Sequence, residues 1–310
     1  MPDSLRWLTI LGRGAHIKAT PVQIIVQRDD TREEYKTADY DHVLIVGRHT
    51  LHADMIRNLS KAGCRISFFD TDGEPLGYLK QFGEPDDSRF RDLQKAAPPH
   101  RFAVEIAKSS LKSRLRAIQV MNERAGSDLL LEGELELFES TIGEMEYLVK
   151  LSEIRRVHRL SADMYYEFMA RITPRALGFK GRTERPYRDP VNAALSFGYS
   201  MLFGNCLVSA IGARLDPDIG MLHDCPAGLI YDLIEPFKAS MIDEQIFREL
   251  AGELTSDDYE SGPSRCILSD AVLKTLIMRF RTTIDQTKID AQISLFLGAL
   301  AEEHAIQILS

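Results

Sequence analysis

At 310 residues with a formal net charge of −8, the chain is long enough for about two domains and too acidic to bind nucleic acid through overall charge alone. Its apolar fraction of 44% and charged fraction of 27% exclude a disordered polyelectrolyte and allow a sizeable buried core. The opening MPDSLRWLTILGRG lacks the basic start, long apolar run and cleavage site of a secretory signal. No stretch approaches the ~20 consecutive apolar residues of a bilayer span, so no membrane partner is expected.

Taken in chain order, the first segments read as short strands. Leu8–Leu11 runs up to Gly12-Arg13-Gly14, Val22–Gln27 is β-branched and bounded by Pro21 and Asp29-Asp30, and Val43–Val46 and Ile66–Phe69 are short apolar runs. Asp72-Gly73 signals a tight turn leading to Leu76–Leu79. A helix from His52 to Ala62, stopped by Gly63, interrupts the strands. From Gly83 to His100 the text is polar and contains Pro85 and Pro98-Pro99, which suits a linker.

Beyond Arg101 the apolar residues recur at helical spacing, first at Phe102, Ile106, Leu111, Leu115 and Ile118, then over 148–171, 190–213, 239–254, 265–281 and 286–308. The expected fold class is α+β. A small β-rich domain over 1–82, a linker over 83–100 and a larger, almost entirely α-helical domain over 101–310 are expected. The four cysteines, Cys64, Cys206, Cys225 and Cys266, are scattered without a CxxC pair, so a reducing, cytoplasmic setting is expected, with Cys225 a small apolar filler.

Charge is polarised along the chain. Acid gathers at 132–146 and 249–260, whereas Arg171, Arg175, Lys180, Arg182, Arg185 and Arg188 face only Glu184 in their stretch. The arginine-rich RTERPYRDP leads into a helix that starts at Pro190 with Asp189 as its cap. The guanidinium fork suits phosphate oxygens, so Arg182, Arg185 and Arg188 are candidate DNA-backbone contacts, against the plainer reading of a solvated loop.

His223 lies between Gly220 and Pro226, away from any regular element, where a side chain can point into a site. Asp232 and Glu235 share one helix face, about 60° apart, among apolar neighbours. Burying an unpaired carboxylate costs several kcal/mol, so a bound cation is one reasonable offset. Pro236 disfavours a straight helix at Glu235. A histidine followed at this distance by a carboxylate, near an arginine-rich loop, suits Mn²⁺ or Mg²⁺ acting on a phosphodiester.

The stretch from Gly181 to Phe247 resembles the CRISPR-associated integrase family, whose members insert spacers into CRISPR arrays. The matching blocks are GRTERPYRDP, VNAALSFGYSMLF, LDPDIGMLH and IYDLIEPF, the last followed by the acidic residues of MIDEQI. LGRGAHI and DHVLIVGRHTLHADMIRNLSKAGCRISFFDTDGEPLG agree more loosely with the family's β-rich first domain. The resemblance implies a helical catalytic domain, a homodimer formed largely through the β domains, a Cas-two partner protein, and metal-dependent endonuclease and transesterification activity on DNA.

In that family the metal is held by a glutamate, a histidine and a second acid. By motif position the histidine is His223 and the second acid Glu235, with Asp232 as a supporting catalytic carboxylate. The glutamate's own position, read through VHRLSADMYYEFM, falls on His158. Glu153 and Glu167 lie about 140° and about 180° round the helix from it, so neither replaces it. Two expectations stand side by side. His158 completes a Mn²⁺ or Mg²⁺ site of an active integrase, or it lies unligated on a basic helix with Arg155, Arg156 and Arg159 in a catalytically impaired, DNA-binding scaffold.

Overall fold

Val43, Leu44, Ile45 and Val46 are all buried, and an unbroken apolar run of this kind marks a strand covered on both faces. It lies in β4 (His42–Leu51), at the middle of the amino-terminal sheet. The computed structural model describes residues 6–28, 31–70, 75–79, 89–125, 129–183, 186–262, 265–302 and 306–309. Among these, β1 (Trp7–Ala19), β2 (Gln23–Arg28), β3 (Thr31–Lys36), β4, β5 (Arg65–Phe69) and β6 (Pro75–Leu79) form one sheet in the order β3-β2-β1-β4-β5-β6. β4 runs parallel to β1 and β5, and the outer pairs are antiparallel. The expected stop at Gly12-Arg13-Gly14 is a register shift inside one long strand, with both glycines at positive φ. The expected turn at Asp72-Gly73 lies outside the described residues.

Helix α1 (Ala53–Lys61) connects β4 to β5 and seats Met55 and Leu59 on one face of the sheet, against Ile17, Ile24, Val43 and Ile45. The opposite face carries Leu44, Val46 and Phe69, which pack on Val208 and Ile211 of the helical region.

α2 (Arg89–Ala96) occupies part of the stretch expected as a linker, whose residues 83–88 lie outside the described ones. It is followed by α3 (Pro99–Ala125), α4 (Glu134–Glu144), α5 (Leu151–Ile172), α6 (Pro190–Gly212) and α7 (Gly228–Ile234). A wide, π-type helix covers Lys238–Asp243 and Ile246–Leu250 and ends in the single α turn α8 (Ala251–Glu253). The helical region holds a two-stranded ribbon, β7 (Tyr259–Ser261) with β8 (Cys266–Leu268), and closes with α9 (Asp270–Thr283) and α10 (Gln286–Glu302).

α6 starts as its sequence dictates, with the Asp189 carboxylate accepting from the Asn192 N–H at 2.8 Å and Pro190 in the first turn. By length and composition it could cross a membrane, but Val191, Leu195, Leu202, Cys206 and Ala210 are buried in the helical core. At its far end Gly212 meets the sheet. A Cβ there would lie 2.8 Å from Leu44 Cδ1 and 3.2 Å from the Trp7 ring, so a larger residue would have to displace them. His42 fastens the junction, with Nδ1 at 3.2 Å from the Gly212 carbonyl and Nε2 at 2.8 Å from Ser67 Oγ.

Candidate active site

Four helical elements converge on Glu235. α3 presents Ser110 and Arg114 from one face, four residues apart. α5 presents His158. α7 ends at Ile234, and the turn before Pro236 carries Glu235. The wide helix beyond brings Lys238 back onto the same carboxylate.

The loop that holds His223 is fixed from several sides. Buried Gln94 of α2 donates to the carbonyls of Asp216 and Ile219 at 2.9 and 2.6 Å and accepts from the Asp216 N–H at 3.0 Å. Arg155 of α5 donates to the Leu222 carbonyl at 2.6 Å and lies 3.6 Å from the Asp224 carboxylate. Asp232 is buried and accepts from the N–H groups of Met221, Leu222 and His223 at 2.5, 3.1 and 2.9 Å. Its Oδ1 also lies 2.8 Å from His223 Nδ1. With Nδ1–H donated to this carboxylate, Nε2 keeps a lone pair, 4.0 Å from Glu235 Oε1. The His223 side chain is 29% exposed, enough for that nitrogen to meet a ligand. Cys225, expected as a buried filler, is exposed in this loop, because the backbone here follows the hydrogen bonds of Asp232 and Gln94 rather than an apolar face.

Glu235 is enclosed. Oε2 accepts from Ser110 Oγ and Arg114 Nη2, each at 2.9 Å, and lies 3.2 Å from His158 Nε2. Oε1 accepts from the Lys238 ammonium. Burial pushes the carboxyl upward, but Lys238, then His158 and Arg114, outweigh it and hold Glu235 well below the usual carboxylate range. Burial pushes His158 below its ordinary value, against the pull of the Glu235 carboxylate, which raises it. Its Nε2 also lies 3.2 Å from Ser110 Oγ and 3.4 Å from Arg114 Nη1. Behind this group Tyr199 donates to Asp243 Oδ1 at 2.5 Å, and the hydroxyls of Tyr166 and Tyr199 are 2.5 Å apart.

The site opens into a trough of about 1960 Å³. That is larger than the ~300–1,000 Å³ of a small-molecule pocket and suits a polymer. Seven cationic side chains line it against three carboxylates, a local excess that the acidic total conceals. Arg155, Arg156 and Arg159 come from α5, Arg182 from the arginine-rich loop and Arg281 from α9.

The structure brings His158, His223, Asp232 and Glu235 together. Arg182 reaches the trough but is tied to α6, donating to Asn192 Oδ1 at 2.9 Å and Ser196 Oγ at 2.8 Å, and lies 5.3 Å from the centre of the Tyr199 ring. Arg188 is exposed beside a second, smaller cavity with Lys180 and Asp189, and Arg185 lies outside the described residues. Sequence reasoning missed Ser110, Arg114 and Lys238. Lys238 had a signal, three residues after Glu235.

A model of the family described as CRISPR associated protein Cas1 matches residues 8–282. The chain is 38% identical over 299 residues to the putative CRISPR-associated endonuclease Cas1 2 of Methanospirillum hungatei, covering 96% of this chain and 99% of that one. The chain belongs to the Cas1 family. A Cas1 endonuclease of Pyrobaculum aerophilum is 28% identical, with 86% of this chain and 90% of that one covered. Among solved structures, a chain of a partial Cas6-RT-Cas1–Cas2 complex superposes with TM-score 0.81 at 19% identity, over 99% of both chains. A casposase bound to integration product gives 0.77 at 18% identity, over 98% of both. At these identities the structural likeness is one of fold.

The divalent cation that the Cas1 resemblance implies fits these residues poorly. Both Glu235 oxygens are engaged by Ser110, Arg114 and Lys238. A hard cation bound there would sit against two side chains of its own sign. His158 lines the trough with His223, but its Nε2 is already within hydrogen-bond distance of Ser110 and Glu235. Among the described residues no group of three His, Cys, Asp or Glu side chains is arranged to hold a metal ion.

Proposed function

We propose that this Cas1-family chain is a DNA endonuclease and integrase that joins spacer DNA into CRISPR arrays by transesterification. The observation that carries the reading is identity at 38% along nearly the whole length of a relative named a putative CRISPR-associated endonuclease. The arginine-rimmed trough around His223 supports it. In the joining step a DNA 3′-hydroxyl attacks a phosphodiester, forming one P–O bond as another breaks. His223 Nε2, held by Asp232, is placed to take the proton of the attacking hydroxyl. Arg155 and Arg182 position the backbone.

DNA and a Cas2 protein are the partners proposed. Pairing of two copies through the β domain is supported by β6, an edge strand that exposes Leu76 at 68% and Tyr78 at 61%. The test is incubation with branched DNA in Mn²⁺, in Mg²⁺ and in EDTA. Cleavage or strand transfer in any of the three is expected. DNA binding without either reaction in all three would favour the second reading, a DNA-binding scaffold.

That second reading rests on one observation. By the resemblance His158 stands where the family has a glutamate, and its Nε2 lies 3.2 Å from a Glu235 already paired with Arg114. His158→Glu discriminates: activity in the substituted protein alone supports the scaffold, whereas an active parent with a dead His158→Ala makes the imidazole a working group.

A further inference from the structure

The charge at the floor of the trough is supplied by protein cations. Lys238 contacts Glu235 Oε1, and its Nζ lies 5.3 Å from the centre of the Tyr199 ring, which holds the stem in place. An ammonium has three N–H donors, and Glu235 takes one of them. Lys238 lines the trough, and its side chain is still partly open to solvent. Arg114 neutralises the same carboxylate from the buried side, so the ammonium is left with charge to offer an incoming anion. An ion taking Glu235 Oε1 would have to displace the Lys238 ammonium and sit near the buried Arg114 guanidinium, a second charge of its own sign.

We infer that Lys238 binds a DNA phosphodiester directly, at the place where the family resemblance puts a divalent cation, and that DNA binding by this chain is independent of divalent metal. The inference rests on the DNA reading above for its ligand, but its claim about the cation stands on the Glu235 contacts alone. The Lys238 ammonium shares the trough lining with the pinned guanidinium groups of Arg155 and Arg182.

Two measurements test it on the full chain. In the first, the electron paramagnetic resonance signal of free Mn²⁺ is followed as protein is added without DNA. An undiminished signal is expected, and stoichiometric loss of it overturns the inference. In the second, the affinity for a fluorescein-labelled branched DNA duplex is measured in EDTA and in Mn²⁺. The two affinities should agree within about twofold. Lys238→Gln should weaken both about tenfold and flatten the dependence of log K on log salt by about one unit, while Lys238→Arg stays within about threefold of the parent. Tighter binding by tenfold in Mn²⁺, or a Lys238→Gln protein that binds like the parent, overturns it. Absence of DNA binding by the parent overturns the DNA reading and the phosphate contact with it, while the Mn²⁺ signal still decides the cation.

Discussion

Arg114 and Glu235, 121 residues apart in sequence, meet as an ion pair at 2.9 Å with each side chain only 3% exposed. Removing one partner leaves the other charged and buried, which costs about 3–5 kcal/mol. Arg114→Leu should therefore lower the urea midpoint steeply. The double substitution Arg114→Leu with Glu235→Leu should lose less than the sum of the singles, with a coupling of at least ~1 kcal/mol in a double-mutant cycle. Additive losses would show that the pair is not coupled.

Gln94→Leu removes three hydrogen bonds from the entrance of the His223 loop. A stability loss of about 2 kcal/mol is expected. Amide exchange should speed up over 216–224 while α5 and α6 stay protected. Uniform acceleration across all helices would mean that α2 supports the whole core and not this loop in particular.

Asp243 is pushed up by burial to about 6 from an ordinary 3.8. Between these values the folded protein keeps a proton that the unfolded chain has already released. The associated stability is fully present below the unfolded value and is lost as pH rises through the folded one, an effect on the order of 3 kcal/mol. Asp243→Asn should flatten this part of the stability–pH profile, read by urea unfolding between pH 4 and pH 7. A variant with the parent's slope would place the titration elsewhere.

Gly212→Val would force a side chain into Leu44 and the ring of Trp7. Overpacking of this kind costs about 1–3 kcal/mol. Trp7 is the only tryptophan, so its fluorescence reports this junction alone, and a red shift is the expected sign of a displaced sheet. Unchanged emission would mean that the helix end yields instead.

Much of this architecture was legible where a local rule decides it. The buried run Val43–Val46, the Asp189 cap and the break at Pro236 each needed only a few neighbouring residues. β3, with the sequence TREEYK, was not legible. It is a charged edge strand whose residues are mostly exposed, so it has no alternation to read. α2 reads as a linker in sequence because prolines and acids flank it, although Phe90 and Gln94 are buried. At the site, His223, Asp232 and Glu235 stood out, since acids beside Leu233 and Ile234 demand a partner. The partner itself did not. Arg114 reaches Glu235 only through the packing of α3 on the wide helix, and its one local trace is the buried polar row Ser109, Ser110 and Ser113 beside it.

α6 is also a lever. Its 23 residues span roughly 34 Å, from Asn192, which holds Arg182 at the trough, past Tyr199, to the glycine clasped by His42 on the sheet. A rocking of about 5° at the sheet end would carry the Arg182 end by about 3 Å, as much as a phosphate contact tolerates. The sheet and the Arg182 end of the trough are thereby joined through one continuous helix.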